Sequence, residues 1–163
     1  MKTIKITIIS IMLAGFAGCA DNQVKHDAAV VTHNECCKSV SEVEIAALFD
    51  RWNQTLQDRD PKKIVALYAE KSILLPTVSN KPRLTIAEKE DYFQHFLEKY
   101  PSGKIEMRRI AIGCNMAVDS GLYTFTFAKT GERVKARYSF TYKWDGLKWL
   151  IVSHHSSVMP EIK

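Results

Sequence analysis

The chain has 163 residues, 46% of them hydrophobic, 25% charged and 10% aromatic, which is the balance of an ordinary globular domain and excludes disordered and fibrous chains. Seven Gly and five Pro are too few for a collagen-like or linker-rich sequence, and no internal repeat points to a solenoid or propeller. The formal charge is +5, and two of those charges, Lys2 and Lys5, lie in a segment read below as removed, so the mature balance of +3 is a weak basic bias and not a nucleic-acid footprint.

Lys2 and Lys5 form a short positive region, Ile6 to Leu13 an apolar stretch, and Gly15, Ala17 and Gly18 a small-residue cleavage zone, so residues 1–18 read as a bacterial signal peptide. The apolar run is too short for a stable membrane span. Phe16-Ala17-Gly18-Cys19 resembles the lipobox of bacterial lipoproteins, in which the Cys is acylated and becomes the mature N-terminus, with Phe where Leu is usual. The alternative is a plain secretory signal cut nearby. On the lipobox reading the protein is a membrane-anchored lipoprotein of the bacterial cell envelope, on the periplasmic or extracytoplasmic side, because each buried methylene contributes about 0.8 kcal/mol and two or three acyl chains hold permanently. Asp21 to Ser39 lacks apolar periodicity, so residues 19–39 read as the lipidated N-terminus and a flexible tether. His26, His33, Cys36 and Cys37 are zinc-type ligands, but their spacing fits no common zinc pattern, and neither a metal nor a cofactor is assigned. Cys36, Cys37 and Cys114 remain for an oxidising compartment, which gives one disulfide and one odd thiol. A Cys36–Cys37 bridge would force unusual backbone geometry. Either of them paired with Cys114 would staple the start of the domain to its sheet, closing a loop of about 80 residues for on the order of 4 kcal/mol. Free thiols are the alternative.

Ser41 can cap a helix, Glu44 stands three residues on as in a capping box, and Ile45, Leu48, Phe49, Trp52 and Leu56 fall on one face. Asp60-Pro61 opens a second helix with Pro at its first position, running to near Glu70 with Ile64, Val65, Leu67 and Tyr68 apolar. Ile73 to Pro76 is a short extended run, Ser79 to Pro82 a loop, and Thr85 to Lys99 a third helix capped by Thr85 with Glu88. From Gly103 the period becomes that of strands: Ile105 to Cys114, Ala117 to Lys129, Arg133 to Trp144 and Lys148 to Ser156, separated by turn residues at Asn115, Gly131 and Asp145-Gly146. Helices followed by an antiparallel meander predict an α+β domain with three N-terminal helices packed on a curved antiparallel sheet. In the third of these strands Arg137, Ser139 and Thr141 share one face and Tyr138, Phe140, Tyr142 and Trp144 the other. One face should meet the helices and the other a second subunit.

Ile45 through Asn53, Leu67-Tyr68-Ala69 with Leu74-Leu75-Pro76-Thr77, and Trp149 through His154-His155-Ser156-Ser157 to Met159-Pro160 carry a resemblance to the NTF2-like superfamily. Within it the chain is similar to bacterial SnoaL-like proteins related to the association domain of calcium/calmodulin-dependent protein kinase II, some labelled SgcJ/EcaC family oxidoreductases. The resemblance covers about residues 40–161. It implies an NTF2-like cone enclosing a pocket between helices and sheet, and dimers or larger rings built through the sheet. No kinase segment accompanies it, and no Gly-rich dinucleotide fingerprint supports the oxidoreductase label.

His154 and His155 end the last strand and point to opposite faces, so one of them enters the pocket; His155 shares parity with Trp149, Ile151 and Ser157. Such a His serves as general acid or base or as a ligand donor, or is a structural His satisfied by its neighbours. Ser156 and Ser157 lack a nucleophile elbow, so hydrolase chemistry is set aside. Arg137 beside Ser139 is a cation placed mid-strand, which calls for an anion or an ion pair with Asp119, Asp50 or Glu90. The resemblance implies an anion site, with Trp52, Tyr68, Tyr92 and Tyr123 as its wall or as plain core. Asp50 reads as solvated and Asp119, before Ser120-Gly121, as turn chemistry, so no acid-base dyad emerges. The reading that follows is a domain that binds a small anionic ligand and oligomerises through its sheet. Its rivals are an isomerase, dehydratase or oxidoreductase-like enzyme using His155 or His154 with Arg137, and an assembly module working through the row Tyr138, Phe140, Tyr142, Trp144.

Overall fold

The computed structural model describes residues 37–77 and 79–160. The residues read as signal peptide, Cys19, Cys36 and the residues read as tether up to 36 lie outside the described residues.

Helix α1 spans Glu42–Thr55, and both bonds of the Ser41/Glu44 capping box are present. It buries Ile45, Phe49 and Trp52, the face that the 3.6-residue period marks out. One 3-10 turn (Leu56–Asp58) leads to α2, Pro61–Val65. This helix is only five residues long. Leu67 to Glu70 do not continue it as the sequence suggests, because a helix of one turn gains little from its few internal bonds while strand pairing is at hand. Tyr68 instead opens strand β1, Tyr68–Leu75, which pairs in parallel with the last strand. Helix α3, Ile86–Leu97, then follows with the Thr85/Glu88 capping box closed at both bonds. The expected three helices thus occur with a strand between the second and third.

Four long strands complete the sheet: β2 (Pro101–Gly113), β3 (Met116–Phe127), β4 (Glu132–Trp144) and β5 (Trp149–Val158), in the spatial order β1-β5-β4-β3-β2. All pairs are antiparallel except β1 with β5. The turn between β4 and β5 uses Gly146 at φ 102°, a left-handed conformation that costs a residue without Cβ nothing. Helices α1 and α3 pack on one face of the sheet, with α2 against α3, and the core lies between.

Two irregularities position side chains. In β5, Thr141 pairs with Ser153 but Tyr142 with Ile151, so Val152 is an extra residue and the strand's alternation changes there. In β2, Ile105 pairs with Tyr123 and Met107 with Leu122, leaving Glu106 over. Gly121 lies against this second bulge, where an added Cβ would sit 1.9 Å from the Met107 carbonyl oxygen. Ser120-Gly121 is therefore close strand packing and not the turn that the sequence suggests.

On β4 the residues Ala136, Tyr138, Phe140 and Tyr142 are buried, and Phe140 meets Phe49 and Trp52 of α1 at ring-centroid distances of 5.9 and 5.3 Å. The aromatic row is consumed by the chain's own first helix. It is not free to be the working surface of an assembly module, and only its last member, Trp144, is partly exposed. Cys37 is bonded to Cys114 across a separation of 77 residues, one of the two expected pairings, and Lys38 reinforces the junction by donating its backbone N–H to Asn115 Oδ1 at 2.8 Å.

Candidate functional site

Between α1, α3 and the concave face of the sheet lies a cavity of about 80 Å³, room for a few waters or one small molecule. Its wall is aromatic: Trp52 from α1, Tyr92, Phe93 and Phe96 from α3, and Tyr123, Phe125 and Phe127 from β3. Lys99 and Glu132 also line it, and both are exposed, so opposite charges mark its solvent side.

The polar groups come from β5, β3 and the end of β1. His154 is buried, stacked on Phe140 at 4.0 Å with Trp52 edge-on at 5.3 Å. Trp52 Nε1 donates to the Tyr68 hydroxyl at 3.2 Å, and that hydroxyl lies 2.8 Å from His154 Nδ1. Indole can only donate, so the Tyr68 oxygen is an acceptor there; we assign its own proton to Nδ1, because the other tautomer would leave both the buried phenol proton and Nε2 without a partner among the described residues. The imidazole proton then sits on Nε2, which is buried and without a partner among the described residues. Burial, with a smaller contribution from His155, holds the His154 pKa down to about 3, so the ring is neutral at physiological pH.

Two residues along the same strand face, Ser156 Oγ accepts the Tyr123 hydroxyl at 2.5 Å and also meets Thr77 Oγ1, from the segment that leaves β1. Burial raises the pKa of Tyr68 and Tyr123 and pushes Tyr92 up to about 12, so these phenols stay protonated. The site combines apolar walls with an imidazole N–H and three linked hydroxyl groups, all uncharged.

Of the residues the sequence singles out, Trp52, Tyr92, Tyr123 and His154 line the cavity, and Tyr68 stands behind His154 as its hydrogen-bond partner. His155 does not enter: it is exposed, because the extra residue Val152 exchanges the parity that links it to Ile151. Arg137 and Ser139 do not line the cavity either. They stand on the outer face of β4, Arg137 exposed and Ser139 half-buried, since the neighbouring aromatic row takes the inner face. Thr77 is not a candidate from sequence, and Ser156 enters there only as a nucleophile that is set aside. Ser156 is two residues from His154, so parity offered the only signal for it, and Thr77 follows Pro76 in a connection with no period to read.

Asp119 is not a turn residue. It is fully buried in mid-β3, where it accepts the Tyr138 hydroxyl at 2.8 Å and the Arg108 Nε at 3.1 Å. Burial pushes its carboxyl above the ordinary value against the pull of those two partners. It does not line the cavity, and Asp50 is exposed, as expected. Among the described residues no three His, Cys, Asp or Glu side chains converge on one point.

The family model for the calcium/calmodulin dependent protein kinase II association domain matches residues 41–160, every element from α1 to β5. The chain belongs to that family. A putative calcium/calmodulin dependent protein kinase II association domain from Xanthomonas campestris shares 46% identity, with 76% of this chain and 91% of that one covered at a TM-score of 0.72. Among more distant folds, the iota-carbonic anhydrase from a cyanobacterium, solved in complex with bicarbonate, superposes at TM-score 0.67 with 19% identity over 76% of this chain and 95% of its own. A putative dehydratase of the NTF2-like family from Streptomyces avermitilis superposes at 0.65 with 8% identity, over 72% and 94%. These two show the shared NTF2-like fold of the association-domain family. No protein of curated function matches the sequence significantly.

Proposed function

We propose that this association-domain protein takes carbon dioxide and bicarbonate into the cavity of His154 and Ser156 and interconverts them. The observation that carries this reading is a cavity of about 80 Å³ whose buried polar groups are uncharged hydrogen-bonding groups, with the charges of Lys99 and Glu132 confined to its solvent side. With no cation among the buried residues of its lining, a guest that alternates between a neutral molecule and a monoanion fits better than a permanent polyanion, whose desolvation exposed Lys99 alone would not offset. The bicarbonate held by the cyanobacterial protein of the same fold names such a guest. Arg137 plays no part in this reading.

In the proposed reaction the oxygen of a water held by Ser156 and Thr77 forms a bond to the carbon of CO2. The electron pair released from one C=O bond moves onto an oxygen that accepts the His154 Nε2–H. The proton lost by the water passes through the Ser156 and Thr77 hydroxyls to a base in solution, so that CO2 and H2O give bicarbonate and one proton. Tyr68 and Trp52 keep the imidazole in the donor tautomer.

Stopped-flow hydration of CO2 with a pH indicator tests it on the purified mature protein. Acceleration over buffer that falls at least tenfold in Ser156→Ala and in His154→Phe is the expected result; no acceleration would refute catalysis. A second reading is binding without turnover, favoured by His154, whose pKa of about 3 leaves it a poor acceptor for the water's proton near neutral pH. Saturable 13C-bicarbonate binding with no hydration activity would select it.

The same proposal places the domain in the bacterial envelope, exported by residues 1–18, anchored by acylated Cys19 and held off the membrane by the tether, as a homo-oligomer. The mass of the mature N-terminus tests the anchor: two or three acyl chains on Cys19 are expected, and a free Cys19 or a later start would refute it.

A further inference from the structure

The outer face of the sheet carries a second polar feature that the cavity does not use. Thr124 of β3 pairs directly with Lys104 of β2 on one side and Lys135 of β4 on the other, so one hydroxyl stands between two ammonium groups on the same face. The next outward position of β4 holds Arg133, paired with Thr126. Together with Glu106, Leu122 and Met159 these residues line a groove of about 780 Å³. Its base is Thr124, 3% exposed, whose Oγ1 has no hydrogen-bond partner among the described residues.

Lys104 and Lys135 flank Thr124 from either side of β3, two strand spacings or about 10 Å apart, so their charges add in the groove between them. Glu106 meets only Lys104, at 3.8 Å, and among the described residues neither Arg133 nor Lys135 pairs with a carboxylate. Three cations against one carboxylate leave two positive charges around a buried hydroxyl free to donate. A second copy docked here by two-fold symmetry would bring the same cations opposite, so this corner is poorly suited to an isologous interface. Carboxylate ligands would satisfy one charge; a phosphate group supplies two charges and enough oxygens for both lysines and the hydroxyl.

We infer that the groove around Thr124, between Lys104, Lys135 and Arg133, binds a soluble phosphate-bearing dianion, separate from the cavity of His154. Backbone amide NMR of the mature protein titrated with inorganic phosphate at low ionic strength tests it. The expected result is a saturable shift centred on Lys104, Thr124 and Lys135, an affinity at least tenfold weaker in the double variant Lys104→Gln/Lys135→Gln, and severalfold weaker in the isosteric Thr124→Val. All three positions are on the outer face, and unchanged shifts elsewhere verify that each variant is folded. Shifts that do not saturate, that chloride reproduces at equal ionic strength, or that persist in the double variant would overturn the proposal. So would binding to phosphatidylglycerol vesicles without binding to phosphate, which would make the patch a membrane contact.

Discussion

Lowering the pH from about 8 to about 4 should destabilise the domain by about 3 kcal/mol through His154 alone. The ring is 4% exposed, and burial holds its pKa down to about 3 from 6.5. Below pH 6.5 the unfolded chain takes up a proton that the folded chain refuses until about pH 3, so in that window the unfolded state binds more protons and stability falls as pH falls. The slope approaches 1.4 kcal/mol for each pH unit, and integrating it from about pH 8 to 4 gives the figure above. The comparison variant is His154→Asn, whose side-chain oxygen can still accept the Tyr68 hydroxyl but does not titrate. Urea unfolding of both proteins across this range is the assay. The variant starts less stable at pH 8, having lost the stack on Phe140, and the gap should close by about 3 kcal/mol at pH 4. Surface carboxylates titrate alike in both proteins and cancel in the difference. Parallel stability curves would refute a neutral, buried imidazole and with it the tautomer on which the cavity's donor rests.

Tyr68→Phe should cost about 2 to 4 kcal/mol, because it strands the buried Trp52 Nε1–H and His154 Nδ1 together, whereas Tyr142→Phe should cost nothing or stabilise, its buried hydroxyl having no partner among the described residues; thermal unfolding of the pair separates them, and equal losses would contradict the assignment. Asp119→Ala should cost about 3 to 5 kcal/mol by leaving Arg108 partly buried without its carboxylate, measured by denaturant unfolding, and a loss below about 1 kcal/mol would show the pair to be solvated. Cys37→Ser should lower stability by up to about 4 kcal/mol, and reductant should lower wild type to the same level while leaving the variant unchanged.

Local pattern was enough for much of this molecule. Both capping boxes read correctly because Ser41 with Glu44 and Thr85 with Glu88 satisfy each other's backbone groups within one turn, without help from the rest of the chain. The four long strands read correctly, to within a few residues at their ends, from period-two alternation between turn residues, and the alternation in β4 separated Arg137 from Tyr138 and Phe140 as the structure has it. The cysteine count and the strained backbone of a Cys36–Cys37 bridge left two pairings with Cys114, beside free thiols, and Cys37 forms the bond.

Which face of β4 turns inward is a different kind of question, since both faces alternate equally well. Packing against Phe49 and Trp52 of α1 decided for the aromatic row, and so sent Arg137 to the outside. Tyr68 left its short helix for a parallel pairing with a strand more than 80 residues later in the chain, a contact that local propensity cannot register. One extra residue, Val152, exchanged His154 for His155 at the cavity, because a strand's side chains alternate with period two and a single insertion reverses the set. The residue types of the site, an imidazole and aromatic hydroxyls, were thus determined by the sequence alone; which His entered it, and with which hydroxyls, depended on long-range register, and register is settled only when the whole sheet closes over its helices.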